Sequence, residues 1–273
     1  MIVSAPPAPP LRHLIRYYYQ VEARVLTGGA VQPVPARSPQ AIEFTFGTPY
    51  EVRRLRSGAI EQAHPIALIG AQTFRRVDLV MRGSVDAFTI VFQPGGLSRV
   101  FAIPADVLTD DHFDAESALG RRLHELHQRL GHVGSFEDRV RVADDYLCLM
   151  RPTLERIDPV VKAAAYVLSR NGRVRVSELA RSAGIGVRQF ERRFQFETGI
   201  APKLYARIVR FEAALRLKAT VASRWTDIAH ELGYHDQMHM VHDFNQLSGD
   251  TPTSISDQLE MFVQPEVHWG RRK

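Results

Sequence analysis

One pattern constrains this chain more than any other, because it occurs twice. The first copy reads Leu179-Ala180, Gly184, Phe194, Gly199, Pro202; the second reads Ile228-Ala229, Gly233, Phe244, Gly249, Pro252. The copies lie 49 to 50 residues apart, differing by one residue in the turn, and a recurrence at such a spacing marks a repeated structural unit. The apolar-Ala pair predicts the inner face of a short helix, where alanine lets a second helix approach closely. The following glycine supplies the positive φ that ends that helix. A second helix then carries apolar residues four apart, Phe190 and Phe194 in one copy, Met240 and Phe244 in the other. Helix, tight turn and helix is the geometry whose second helix enters a DNA major groove. Between the copies, Pro202 to Lys218 predicts one amphipathic helix with Tyr205, Ile208, Phe211 and Leu215 inward. Two recognition helices fixed by one rigid linker suit successive major grooves, about 34 Å apart.

The rest of the chain follows a different rhythm. Residues 1–10 hold four prolines and are expected to form a loose arm. Tyr17–Val21, Ala41–Phe46, Ile66–Gly70 and Ala87–Phe92 are short, β-branched or aromatic runs separated by turn residues, which predicts strands. Pro94-Gly95-Gly96 marks a turn after the last. From Glu116 to Met150 the period becomes helical, with Leu119, Leu123, Leu126 and Leu130, then Val140, Ala143, Leu147 and Met150. Gly131 and Gly134 are expected to separate the two helices. Their stripes either pack on the sheet or form a dimer contact. Prolines 152 and 159 suggest a boundary, and Asp158-Pro159 reads as an N-cap with proline in the first turn. The expected fold class is α+β: a β-rich, barrel-like domain with a helical hairpin over 1–157, then an all-α domain with two helix-turn-helix units over 158–273.

The charge balance sharpens this. A net charge of +5 hints only weakly at a polyanionic partner. Its distribution says more. Residues 1–158 are neutral, 159–224 carry 14 basic and 4 acidic groups, and 225–270 carry 8 acidic groups with no Lys or Arg. The basic stretch coincides with the first unit and the linker helix, and the acidic stretch with the second unit.

Residues 159–258 resemble the DNA-binding domain of the AraC/XylS family of transcription regulators. The resemblance rests on Leu179-Ala180 with Gly184, Arg192-Arg193-Phe194, Gly199-Ile200-Ala201-Pro202, Arg210 with Ala214 and Leu217, the run Ile228 to Gln237, His239, Phe244 and Gly249-Asp250-Thr251-Pro252. It implies sequence-specific binding of double-stranded DNA. Arg188, Glu191 and Arg192 fall on the outer face of the first recognition helix and match the family's base-reading positions. Arginine pairs with guanine O6 and N7, and glutamate accepts from cytosine N4. Arg173, Arg193, Lys203 and Arg207 suit phosphates, where charge matters more than position. On the second helix the outer positions are Gln237, Met238, His239 and His242, with His239 equally readable as a packing residue. Here the chain departs from the family: His242 stands where arginine is common, and Asn245-Gln246 replace basic residues. The first unit should therefore dominate affinity. A sensor or dimerization domain in front, RNA polymerase as partner and control by a small molecule or by self-association are what the resemblance implies. It names no effector; Tyr17, Tyr19, Phe44, Phe46, Phe88 and Phe92 are candidates to line a pocket, but most alternate toward a core, so none is assigned as a ligand residue.

A metal-dependent barrel enzyme, or a ligand-binding module with a DNA-binding tail, is the alternative. Such barrel sites need histidines converging with a carboxylate, whereas His13, His64 and His112 are scattered along the chain. His124 and His127 lie three apart on a helix without a clear third ligand. No catalytic triad spacing or phosphate-binding loop is present, so no catalytic residue, metal or cofactor is expected. Cys148 alone forms no internal disulfide and sits on an apolar stripe. No secretory leader or long apolar run stands in the sequence, so the expectation is a cytoplasmic protein without a membrane partner.

Overall fold

The computed structural model describes residues 1–75, 77–150, 157–221 and 223–260. The expected boundary, residues 151–159, lies partly outside them, at 151–156.

The first half is built on eight antiparallel strands: β1 (Ile2–Ala5), β2 (Ile15–Val34), β3 (Ala41–Thr45), β4 (Glu51–Arg54), β5 (Ile60–Gln62), β6 (Ile66–Ile69), β7 (Val77–Phe92) and β8 (His112–Asp114). Their order is β1-β2-β7-β3-β6-β8, with β4 also on β7 and β5 beyond β4. Strands β2 and β7 pair along almost their whole length, from Ile15 opposite Phe92 to Val34 opposite Val77. The ladder shifts between Val25 and Ala30, where Gly28 and Gly29 stand at φ 73° and 80°. Such a bulge bends both strands and rolls the sheet. As a result β7 offers its far edge to β3 near one end and to β4 near the other.

Strand alternation sorts side chains to two faces. Tyr18, Ile42, Phe44, Leu68, Phe88, Ile90 and Phe92 point to one side. They pack against helices α1 (Gly96–Phe101), α2 (Ala115–Leu119), α3 (Arg121–His132) and α4 (Phe136–Met150) through Leu97, Leu123, Leu126, Leu130, Ala143 and Leu147. Each such buried leucine contributes about 1.5–3 kcal/mol. The stripes of the hairpin therefore pack on the sheet. Arg139 clamps it: nearly buried, it donates to both Asp86 oxygens at 2.6 and 2.9 Å and to the Leu130 carbonyl, and lies over the Phe46 ring. Tyr17, Tyr19, Ala41, Ala67, Ile69 and Val91 point to the opposite face.

Three expectations need correction. The proline-rich arm is not loose: β1 pairs with β2, and the Ala8 amide donates to Asp144, which also accepts from the Tyr18 hydroxyl at 2.7 Å. Local composition does not reveal a partner 136 residues away. The helical segment has an additional break at Gly120, at φ 85°; Gly134 falls between α3 and α4 as expected, while Gly131 lies inside α3. Two of the expected short strands are ends of the much longer β2 and β7.

The second half contains α5 (Pro159–Ser169), α6 (Val176–Ser182), α7 (Val187–Thr198), α8 (Pro202–Thr220), α9 (Trp225–Glu231), α10 (Gln237–Ser248) and α11 (Pro252–Glu260). Asp158 caps α5 by accepting from the Val160 amide, with Pro159 in the first turn. The helices share one core. Phe194 meets Tyr205 edge-on at 5.3 Å, and Phe244 meets Phe211 at 4.7 Å and Trp225 at 5.5 Å. Ala36 and Ala71 of the sheet-rich half join that same core.

Candidate nucleic-acid interface

The two copies of the sequence repeat fold alike. Leu179-Ala180 on α6 and Ile228-Ala229 on α9 are buried, as are Phe190 and Phe194 on α7 and Met240 and Phe244 on α10. Gly184 and Gly233 turn the chain at φ 72° and 69°. The structure adds a correspondence the repeat pattern did not flag. Thr198 Oγ1 donates to the Phe194 carbonyl and accepts from the Ile200 amide. Ser248 Oγ donates to the Phe244 carbonyl and accepts from the Asp250 amide. Each hydroxyl satisfies groups left open where its recognition helix ends. The signal was present as a hydroxyl residue just before each repeat glycine.

Burying one face of α7 and α10 leaves the other outside. Arg188, Glu191 and Arg192 are exposed on α7, and Gln237, Met238, His239 and His242 are exposed on α10. The two faces differ chemically. The first carries two arginines. The second places the His239 ring against Tyr234, edge-on at 5.5 Å, and His242 beside Gln246 at 2.8 Å. Asp236 caps α10, accepting from the His239 amide at 2.7 Å, whereas α7 starts at Gly186 without a side-chain cap. The carboxylate occupies donors and adds negative charge at the end of α10 that a helix dipole would offer to an anion.

The remaining basic residues are held differently. Lys203 is exposed. Arg173 is exposed and donates to the Glu231 carbonyl at 3.1 Å. Arg193 pairs with Asp158. Arg207 donates to the buried Asp243 at 2.7 and 3.0 Å and to Gln246. That pair ties α8 to α10 and so fixes the second recognition helix to the linker.

The sheet-rich half touches this region at several points. The Ala36 and Arg75 amides both donate to the Leu247 carbonyl, at 2.9 and 3.1 Å. Arg75 joins Asp78 to Asp250. Thr109 Oγ1 donates to the Gly199 carbonyl at 2.7 Å. Glu212 on α8 accepts from the Ser38 amide and hydroxyl at 2.7 and 2.8 Å. Glu197, near the end of α7, lies against Gly95, and burial together with nearby Asp158 raises its carboxyl above the usual range. The contacts between the two halves were not legible in the sequence, because each joins residues far apart along it.

The histidines sort by tertiary position. His64 and His112, distant in sequence, meet with ring centres 5.9 Å apart. Burial and the nearby Arg54 lower the His112 pKa, favouring the neutral ring. His127 stacks on Phe46 and bonds the Thr45 carbonyl; His124 bonds Glu116. Among the described residues, no three His, Cys, Asp or Glu side chains are grouped to hold a metal ion, and no helix is long and apolar enough to cross a membrane.

Residues 179–258 match a family model described as a helix-turn-helix domain, and residues 3–114 match a domain of unknown function (DUF6597). Among solved structures, ToxT from Vibrio cholerae O395 is similar at 10% identity and a TM-score of 0.51, over 89% of this chain and 98% of that one. The same protein bound to (E)-4-(8-methylnaphthalen-1-yl)but-3-enoic acid is similar at 10% identity and a TM-score of 0.52, over 89% and 99%. The DNA-binding domain of AdpA, in complex with a target DNA, shares 26% identity over 38% of this chain and 95% of that domain, at a TM-score of 0.36. Comparison with curated proteins gives no match. Two helix-turn-helix units in series behind a sheet-rich domain define a DNA-binding transcription regulator. The helix-turn-helix match falls within the stretch on which the resemblance to the AraC/XylS family rests.

Proposed function

We propose that the protein reads duplex DNA through α7 and α10 and that its sheet-rich half controls this reading. The observation that carries the reading is the pair of outward faces on α7 and α10, joined through one continuous helix, α8, and the Arg207–Asp243 clamp. Arg188, Glu191 and Arg192 face the bases of one major groove; Gln237, Met238, His239 and His242 face the next. Arg173 and Lys203 serve the phosphates. Arg193 and Arg207 lie at the same surface, and their partners Asp158 and Asp243 restrict them to a supporting part. The regulator spans a sensor or self-association domain over 1–157 and a DNA-binding domain over 158–273. It acts in the cytoplasm, contacts RNA polymerase, and catalyses no reaction.

The contacts of Ser38, Arg75 and Thr109 with the helical half supply the control. A molecule that binds the sheet-rich half better in one arrangement of the two halves shifts the population towards that arrangement. Selecting duplexes from a random pool and footprinting the bound ones tests the reading. Two protected patches one helical turn apart, the stronger under the first unit, are expected. A single patch abolished only by changes on α10 would overturn it.

A further inference from the structure

The face of the sheet turned away from α3 and α4 encloses a cavity of about 180 Å³. Its wall is mainly aliphatic and aromatic, with Tyr17, Tyr19, Val52 and Val91 among its residues. Two wall residues come from the other half of the protein: Glu212 of α8 and Leu259 of α11.

The polar part of the wall is compact. Arg37 and Gln72 form an isolated antiparallel bridge, each amide donating to the other's carbonyl at 2.9 Å. Residues paired in this way lie directly opposite, with side chains on one face about 5.5 Å apart at Cα. Both side chains line the cavity. Gln72 is 6% exposed, and its Oε1 is buried without a hydrogen-bond partner; so is Arg37 Nε. Buried polar atoms are almost always paired, and leaving one unpaired costs about 1–3 kcal/mol. An unpaired donor and an unpaired acceptor thus belong to two neighbouring residues of the wall of a largely apolar chamber. Glu43 lies on the same wall, held by the Tyr50 hydroxyl and, at 3.4 Å, by the Thr89 hydroxyl.

This arrangement selects a ligand chemistry. A carboxylate would meet Arg37 but also Glu43 and Glu212, two acids against one guanidinium. An ammonium offers no acceptor to Arg37 Nε. A hydroxyl accepts from Arg37 and donates to Gln72. A chamber of this size holds a molecule near one substituted ring; a cavity of about 150 Å³ takes up benzene. We propose that the cavity is a binding site for a small neutral molecule with an apolar single-ring body, whose hydroxyl group is held between Arg37 Nε and Gln72 Oε1. The proposal rests on the sensing reading above and adds the chemistry of what is sensed. Because Glu212 and Leu259 complete the wall, the bound molecule would touch the linker helix and α11 directly.

Calorimetric titration of the full chain with 4-ethylphenol, ethylbenzene and 4-ethylbenzoate tests it. One 4-ethylphenol per chain is expected, with ethylbenzene and 4-ethylbenzoate each at least about ten-fold weaker, the equivalent of 1.4 kcal/mol. Gln72→Leu and Arg37→Met should each weaken 4-ethylphenol about ten-fold and leave ethylbenzene unchanged, a split that a general packing defect would not produce. Tightest binding by 4-ethylbenzoate would overturn the hydroxyl assignment while sparing the sensing reading. Absence of binding by all three would overturn the site. Binding of 4-ethylphenol with no effect on affinity for a selected duplex would leave the site standing and remove the sensing reading.

Discussion

Arg192 and His242 stand at comparable places on two copies of one fold unit, yet they bring different chemistry to a phosphate-lined groove. The guanidinium is always charged and forks two donors towards guanine. His242 spends a ring nitrogen on Gln246. Arg192→Ala is therefore expected to weaken DNA binding about 10- to 100-fold, the cost of one bidentate base contact. His242→Ala should change it less than about two-fold, within the few tenths of a kcal/mol of a surface substitution. Fluorescence anisotropy with a selected duplex separates the two, and a larger loss for the histidine change would reverse the assignment. Gly184 gives a second prediction at this scale. Its φ of 72° is left-handed, and an added Cβ would meet nothing within 4 Å. Gly184→Ala should thus cost only the conformational penalty, about 1–2 kcal/mol, read as a lower urea midpoint.

At the scale of elements, the Arg207–Asp243 pair fastens α10 to α8. Asp243 is 1% exposed, so removing the arginine strands a buried charge. Arg207→Ala is expected to lower stability by about 3 kcal/mol and to weaken the second protected patch more than the first, as footprinting would read. Equal weakening of both patches would mean that the pair does not position α10. Helix limits in this half were legible beforehand. Asp158-Pro159 starts α5, Gly199-Ile200-Ala201-Pro202 closes α7 and opens α8, and α7 buries Phe190 and Phe194 as expected. Caps, glycines and prolines act within a turn or two, so their signal is local. The strands were legible only in part. β2 and β7 each look like a short strand because Gly28, Gly29 and Gly83 interrupt the β-forming runs, and only the pairing shows that the strands continue through the bend.

For the molecule as a whole, the two halves are coupled through polar contacts that pH reaches. The Glu197 carboxyl near the end of α7 is raised by burial. In the native state it holds its proton more tightly than in the unfolded chain. The native form therefore binds more protons between the ordinary glutamate range and the raised value, and stability falls as pH rises through that window. Glu197→Gln removes this dependence. The thermal midpoint of the variant relative to the parent is expected to climb between pH 4 and pH 8, and a constant difference would place Glu197 outside the coupling.

The net charge reads differently at this scale. The basic stretch holds α7 with its arginines, and the acidic stretch holds α10, Asp236 and Asp243. The sequence by itself determined the two helix-turn-helix units and the difference in charge between them, because helical period, capping and charge are properties of neighbouring residues. It also carried a hint at the cavity: Glu43 is a charge inside an apolar strand, and Tyr17 and Tyr19 share a face by strand alternation. Only the tertiary structure decided that Arg37 lies opposite Gln72, that Glu212 of the linker helix closes a chamber in the sheet, and that the proline arm docks on Asp144. The reason is physical. Those arrangements depend on strand pairing and on docking between distant segments, where the partner is set by the packing of the whole chain.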